Sequence, residues 1–137
     1  DNSILYTDHV LCEYIDCIRK EPGSAFVFFS DHGEECFDSC GQHGHHDSLE
    51  SPYYYEIPFF IWLSEDYKSR LDKETLERWK TAMEIPFVNR GAYTVLQLSG
   101  ITVDTDNNKL SPLSQDFVPG PRIVHEKDFD AYFKIMK

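Results

Sequence analysis

Asp31 and His32 place a carboxylate beside an imidazole, directly after a run of apolar residues. Aspartate offers a hard oxygen ligand and histidine a borderline nitrogen ligand, a combination that suits Zn²⁺ or Mn²⁺. Gly33 follows them and lets the backbone turn without a side chain that would crowd an ion. The alternative is an ordinary turn in which the aspartate side chain caps the next backbone amides. The pair therefore predicts a divalent metal site, with a simple turn as the competing interpretation.

Three of the six histidines, His43, His45 and His46, fall within four positions of one polar segment. By itself such a cluster is also typical of a solvated loop. Because the cluster follows the Asp-His pair closely in the chain, the two features together favour a divalent metal centre. Glu34 and Glu35 are expected to be helix-start or solvent-exposed carboxylates instead of ligands, since further carboxylates beside a bound aspartate would crowd negative charge.

The elements that hold these residues are predicted from the spacing of apolar side chains. The opening stretch has the apolar spacing of an amphipathic helix, which a Pro-Gly pair at 22–23 ends. The apolar run 24–30 predicts a strand buried on both faces, residues 57–63 predict a second strand, and a long loop lies between them. A helix followed by a buried strand is typical of an α/β layered domain with parallel strands, where ligands bind beyond the carboxyl ends of the strands.

Polar residues mark where the later helices begin and end. Ser64 and Asp72 are each followed by acidic residues and helical spacing, so each is predicted to cap the start of a helix. A further helix is predicted over 89–101, with Gly100 as its C-terminal cap. The remaining segments are predicted as an extended connection, a strand and a short helix, over 111–121, 122–124 and the aromatic-rich end of the chain.

The composition is that of one globular domain with an acidic surface. The 137 residues are 41% hydrophobic, which is enough for one core. The chain has 13 basic and 24 acidic residues, and the net charge of −11 argues against binding to nucleic-acid phosphates. No apolar run reaches the roughly 18 residues of a membrane helix, and the start lacks a signal-peptide pattern. Because the chain opens with Asp1 inside a helical pattern, we expect it to be a piece of a longer protein.

Two of the four cysteines lie in the same polar segment as the histidines. Cys36 and Cys40 could close a small disulfide in an oxidising compartment. Alternatively, Cys36, Cys40, His43 and His45 could hold a structural zinc ion, since together they offer four nitrogen and sulfur ligands. Such a zinc knot would belong to a non-catalytic binding module, but it would not explain the Asp-His pair at the end of a strand.

Six segments form an ordered set: 1–8 (DNSILYTD), 29–34 (FSDHGE), 57–64 (IPFFIWLS), 92–101 (AYTVLQLSGI), 111–113 (SPL) and 121–124 (PRIV). This set resembles the phosphoethanolamine transferases of Gram-negative bacteria, which belong to the sulfatase and alkaline-phosphatase superfamily. The string Asp-His-Gly-Glu is shared across much of that superfamily, whereas the flanking segments favour the transferase branch. The resemblance runs over nearly the whole chain.

The resemblance implies an alkaline-phosphatase/sulfatase-like α/β fold, a layered sheet with flanking helices, in which residues 1–137 form the C-terminal portion of the catalytic domain. It also implies a bacterial inner-membrane enzyme, anchored by helices upstream of residue 1, whose catalytic domain faces the periplasm. Such an enzyme moves phosphoethanolamine from a phospholipid onto lipid A or the lipopolysaccharide core. The related alternatives are an arylsulfatase-like hydrolase and a lipoteichoic-acid-type glycerol-phosphate transferase.

The resemblance also implies which residues bind zinc. In that family the ion is held by a threonine nucleophile, an upstream glutamate and an Asp-His pair, which Asp31 and His32 match. A further histidine contacts the phosphate group or a second metal. His45 and His43 both match that motif in part, and His45 is preferred, as a catalytic residue and a third metal ligand. No threonine in this chain is a convincing nucleophile, so the threonine and the glutamate are expected upstream, and the chain alone is expected to be inactive.

Overall fold

The computed structural model describes residues 2–39, 41–45, 50–86, 91–101 and 109–133. The helices in this part of the chain are α1 (Asn2–Ile18), α2 (Glu65–Ser69), α3 (Lys73–Met83), α4 (Gly91–Leu98) and α5 (Phe129–Phe133). The strands are β1 (Ala25–Phe29), β2 (Glu35–Cys36), β3 (His43–Gly44), β4 (Phe59–Leu63), β5 (Ile123–Val124) and β6 (Lys127–Asp128). A 3₁₀ helix, Pro52–Tyr54, lies between β3 and β4.

The two longest strands, β1 and β4, form an antiparallel pair in which Ala25 lies opposite Leu63 and Phe29 opposite Phe59. Both predicted strands are confirmed, but the expected parallel arrangement is wrong for this pair. Their side chains are mostly half-buried, and the Phe29 side chain is exposed. An apolar run predicts a strand without fixing the direction of its neighbour, because strand direction depends on pairing with distant residues. The Asp-His pair follows the carboxyl end of β1, which is where a ligand site was expected.

Ser64 and Asp72 begin helices α2 and α3, as predicted. The Ser64 hydroxyl accepts the backbone N–H of Tyr67 at 3.2 Å. The Asp72 carboxylate accepts the backbone N–H of Thr75 at 2.7 Å and its hydroxyl at 3.0 Å. Each cap satisfies one of the backbone donors that the first turn of a helix leaves free.

The other helix ends agree with the turn signals in the sequence. Helix α1 ends at Ile18, whose carbonyl accepts the N–H of Glu21 at 2.9 Å, and Gly23 then turns the chain with a φ of +66°. Gly100, with a φ of +70°, ends α4. The predicted start of that helix, residues 89–90, lies outside the described residues. No helix among the described residues has both the length and the apolar character that spanning a membrane requires.

Leu113 is almost fully buried, and its backbone carbonyl oxygen accepts three hydrogen bonds. The donors are Trp79 Nε1 at 2.8 Å, Gln97 Nε2 at 2.9 Å and the Arg78 guanidinium at 3.0 Å. Trp79 and Arg78 belong to α3 and Gln97 to α4, so one carbonyl ties both helices to a single turn. We predicted an extended connection here, but its first residues are buried in the core.

The C-terminal region is a hairpin followed by a short helix. The predicted last strand and short helix are confirmed as β5 and α5, whereas β6 was not predicted. Strands β5 and β6 pair antiparallel, with Ile123 opposite Asp128. Phe129 at the start of α5 is buried, and the Arg122 guanidinium lies 4.5 Å from the centre of its ring. This packing fixes the hairpin against α5.

Candidate metal centre

Asp31 and His32 occupy the turn that follows β1, and both side chains are exposed. The Asp31 Oδ1 atom accepts the backbone N–H of His32 at 3.0 Å. The other carboxylate oxygen, Oδ2, lies 3.8 Å from His32 Nε2. The turn interpretation and the metal interpretation are therefore compatible, because one oxygen caps the turn while the other faces the imidazole.

The imidazole of His32 is held in one orientation by the backbone. Its Nδ1 atom lies 2.9 Å from the carbonyl oxygen of Gly33, so a protonated Nδ1 donates to that oxygen and leaves the Nε2 lone pair free. The same hydrogen bond is the main reason that the pKa of His32 is raised. Desolvation opposes the shift, while the charges of Asp31 and Glu34 add to it. Fixing the far nitrogen in this way is how proteins commonly orient a metal-binding histidine.

The geometry of the pair fits a zinc ion. Zinc ligands lie about 2.0–2.2 Å from the ion, so two ligands of a tetrahedral site are roughly 3.3–3.5 Å apart. The 3.8 Å between Asp31 Oδ2 and His32 Nε2 is close to that separation. Among the described residues, no group of three or more histidine, cysteine, aspartate or glutamate side chains is arranged to hold a metal. Asp31 and His32 as two ligands, and His45 as a third, therefore stay predictions.

Gly33 brings Asp31 and His32 (the candidate metal pair) into close contact with the 3₁₀ helix. Its N–H donates to the carbonyl of Tyr54 at 2.9 Å. A Cβ atom on residue 33 would lie 1.9 Å from the carbonyl oxygen of Tyr53 and 2.7 Å from that of Glu56. The glycine is therefore required for backbone approach, a different reason from the uncrowded ion that the sequence suggested.

The structure brings His45 to the metal pair. Its ring centre lies 4.7 Å from that of His32 and 4.4 Å from that of Tyr54. His43 lies in β3, opposite Cys36, and its ring contacts Phe37 with 5.5 Å between the ring centres. His45 therefore lies beside His32, and the choice between His45 and His43 stays a prediction. His46 lies outside the described residues.

Glu35 is fully buried in β2, so the expectation of a helix-start or solvent-exposed carboxylate is wrong for this residue. Its carboxylate accepts the backbone N–H of Ser39 at 2.7 Å, the Ser39 hydroxyl at 2.8 Å and a short hydrogen bond from the Ser51 hydroxyl. Burial by itself would raise the pKa of Glu35, but these hydrogen bonds outweigh it and hold the pKa at about 2. The carboxylate is therefore ionised at neutral pH.

The sequence did not predict the β2–β3 hairpin or the 3₁₀ helix that follows it. Two-residue strands carry no apolar alternation to detect. The helix did carry a signal, because a serine followed by proline is a typical N-cap and first helical residue. Ser51 caps this helix by accepting the N–H of Tyr53 at 3.2 Å, and Pro52 is its first residue.

The cysteine hypotheses depend on Cys40, which lies outside the described residues. Cys36 is exposed and lies opposite His43 in the hairpin. The disulfide between Cys36 and Cys40 and the structural zinc knot both stay predictions.

Comparisons with known proteins point to one family. Residues 1–101 match the family model for Sulfatase. The phosphoethanolamine transferase EptC of Escherichia coli O18:K1:H7 (strain RS218 / NMEC) is 38% identical over 72 residues, which make up 50% of this chain and 12% of that protein. The Kdo(2)-lipid A phosphoethanolamine 7''-transferase of Escherichia coli (strain K12) is 35% identical over 68 residues, which make up 49% of this chain and 12% of that protein.

A solved structure extends the similarity over most of the chain. The crystal structure of the C-terminal periplasmic domain of EcEptC from Escherichia coli, in complex with Zn, matches with a TM-score of 0.76 and 26% sequence identity. The match covers 89% of this chain and 34% of that chain. The predicted α/β fold class is thereby confirmed.

Proposed function

Because this chain belongs to the Sulfatase family, we propose that it forms part of a zinc-dependent phosphoethanolamine transferase and contributes Asp31 and His32 to the metal site. The observation that carries this proposal is the 3.8 Å separation of two metal-binding atoms, with the imidazole oriented by the Gly33 carbonyl. The similarity to EptC and to the Kdo(2)-lipid A transferase supports the reaction class. The Zn complex of the related domain supports the choice of metal.

Each residue of the site has a defined task in this reaction. Zinc, when bound, supplies positive charge that lowers the pKa of an alcohol nucleophile and offsets the charge of the phosphoryl oxygens. Asp31, through its Oδ2 atom, and His32, through Nε2, would hold the ion. We assign His45, beside His32, to proton donation and not to zinc binding: it would donate a proton to the oxygen that leaves phosphorus as the nucleophile attacks. His43 is the second candidate for that proton donor.

The same relationship supports a proposal for the substrates and the location. We propose that a phospholipid donates the phosphoethanolamine group and that lipid A or the lipopolysaccharide core accepts it, since one relative is named for Kdo(2)-lipid A. The related solved domain is periplasmic, which supports a periplasmic catalytic domain anchored at the bacterial inner membrane. Residues 1–137 would form the C-terminal portion of that domain. The threonine nucleophile and the glutamate ligand would come from outside these residues.

Zinc analysis of two variants of the intact protein tests the metal assignment. We expect Asp31→Ala, which removes a direct ligand, to weaken zinc binding by more than the roughly 10- to 100-fold that loss of an outer-shell partner costs. Cys36→Ser, the matched control in the same segment, should retain the zinc. Loss of zinc in the Cys36 variant alone would instead indicate a structural zinc knot and overturn the proposal.

A transfer assay tests the reaction. The intact protein is incubated with phosphatidylethanolamine and lipid A, and the lipid A product is analysed by mass spectrometry. We expect the mass of lipid A to increase by one phosphoethanolamine group, and we expect Asp31→Ala to abolish the increase. Hydrolysis of an aryl sulfate without any transfer would show that the protein is a sulfatase of the same family.

A further inference from the structure

Glu35 is a buried charged group to which the proposed reaction gives no task. Its side chain is fully buried at the base of the β2–β3 hairpin, and three hydrogen bonds from Ser39 and Ser51 converge on it. A buried carboxylate is costly unless its oxygens are well satisfied, and here they are. With its oxygens directed to the two serines, Glu35 is arranged to support the structure around it.

The Glu35 carboxylate joins two segments that flank His45 in the chain. Ser39 lies between β2 and β3, before His45, and Ser51 caps the 3₁₀ helix after it. The backbone of Glu35 also pairs with Gly44, the residue before His45. One side chain therefore fixes the chain on both sides of this histidine.

The same 3₁₀ helix contacts both halves of the metal centre. Its last residue, Tyr54, places its ring 4.4 Å from the ring of His45. The Tyr54 carbonyl accepts the N–H of Gly33, next to His32, at 2.9 Å. Ser51 begins this helix, so the hydrogen bond between Ser51 and the buried carboxylate sets where the helix lies relative to the hairpin.

We propose that Glu35 is a positioning residue that holds His45 beside the Asp31–His32 pair. Glu35 acts through Ser51 and the Tyr54 ring and does not itself contact the metal pair. The catalytic consequence rests on the proposed function, because it requires His45 to act on the phosphoryl group. The structural consequence, the placement of the His45 ring, can be measured without any reaction.

The first experiment measures the position of His45 directly. In the folded Glu35→Gln variant of the intact protein, the His45 ring resonances are recorded by NMR and compared with those of the wild type. An aromatic ring a few ångströms away shifts such resonances, so release of His45 from Tyr54 should move them toward the values of a free histidine. Loss of overall stability alone would not move them in molecules that remain folded.

The second experiment measures the reaction at saturating zinc. We expect Glu35→Gln to lower kcat roughly 10- to 100-fold while KM stays within about twofold, as for a residue that orients a catalytic group. Glu65→Gln is the matched control, since the Glu65 side chain is 91% exposed and pairs only on the surface with Lys68. This control should leave both kcat and the His45 resonances unchanged.

Ser51→Ala provides a milder change at the same place, in case the glutamate variant fails to fold. It removes one donor and leaves both hydrogen bonds from Ser39 to Glu35, so we expect shifts in the same direction but smaller. Unchanged His45 resonances in the folded variants would overturn the proposal. Shifted resonances with a kcat within twofold of wild type would instead show that His45 does not act in the reaction, which would overturn its role in the proposed function. A wild-type protein that transfers no phosphoethanolamine would overturn the proposed function instead, while the resonances would still test the placement of His45.

Discussion

Replacing Gly33 with alanine should disturb the contact between the metal pair and the 3₁₀ helix more than any conservative change on the surface. The new Cβ atom would lie 1.9 Å from the Tyr53 carbonyl oxygen and 2.7 Å from the Glu56 carbonyl oxygen. Both oxygens belong to the backbone, so neither can rotate away as the end of a side chain would. The chain near residue 33 has to move.

The size of the effect follows from these distances. Carbon and carbonyl oxygen atoms normally stay about 3.3 Å apart, so the 1.9 Å contact requires a displacement of about 1.4 Å. Overpacking of this kind costs about 1–3 kcal/mol, and loss of the hydrogen bond from Gly33 to Tyr54 adds about 0.5–1.5 kcal/mol. We therefore expect Gly33→Ala to lower the free energy of unfolding by roughly 2–4 kcal/mol. Because residue 33 follows His32 directly, zinc affinity should also fall, by roughly 10- to 100-fold.

Chemical denaturation and zinc competition with a chelator measure the two quantities. Gly120→Ala is the matched control, because a Cβ atom there meets no atom within 4 Å and the glycine does not need a positive φ. Its free energy of unfolding should stay within about 0.5 kcal/mol of wild type. If Gly33→Ala behaved like this control in both measurements, the close approach would not be what holds the metal pair in place.

Three further changes test other parts of the structure. Glu35→Gln should change the pH dependence of the free energy of unfolding. The pKa of Glu35 is lowered from its ordinary value of 4.5 to about 2, so the ionised carboxylate stabilises the fold fully above pH 4.5. The difference in free energy of unfolding between wild type and variant should therefore vanish as the pH falls to about 2. Denaturation at a series of pH values measures this difference. A difference that persisted at pH 2 would contradict the stabilising role of the ionised Glu35 carboxylate. Trp79→Phe should lower the free energy of unfolding by only about 1–2 kcal/mol in urea denaturation, because the Leu113 carbonyl keeps two other donors. A change near zero would show that the hydrogen bond from Trp79 to this carbonyl contributes little to stability. Asp72→Ala removes the cap on Thr75 and should cost about 1 kcal/mol, with Asp72→Asn as the conservative control that restores most of it.

The sequence predicted the features that depend on residues close together in the chain. Ser64 and Asp72 cap helices because a side chain reaches a backbone N–H three residues later, and that distance is fixed by the helix itself. Asp31 and His32 are adjacent, so their approach needed only a turn after a strand. The placement of Gly100 after α4 followed from the same local reasoning.

Features that depend on distant partners could not be predicted from the sequence alone. Glu34 and Glu35 look equivalent in the sequence, yet only Glu35 is buried, because Ser51 meets it from 16 residues away. The ring of Tyr54 reaches His45 through the same arrangement. The antiparallel pairing of β1 with β4 was missed for the same reason, since apolar composition gives no strand direction.

The convergence of three donors on the Leu113 carbonyl has a practical consequence for mutational scanning. The acceptor belongs to the peptide backbone, so an alanine at position 113 would remove the packed side chain and leave the acceptor intact. Single replacements of Trp79, Gln97 or Arg78 each leave two donors in place, and Arg78 also donates to the Ser114 carbonyl at 2.8 Å, so none of them alone measures the effect of losing the acceptor. Semisynthesis with an ester linkage after Leu113 weakens this carbonyl as an acceptor and also removes the Ser114 N–H, which donates to the Ser111 carbonyl at 3.0 Å. The dependence of α3 and α4 on the Leu113 carbonyl is what remains of the ester's effect after the contribution of that second hydrogen bond is subtracted.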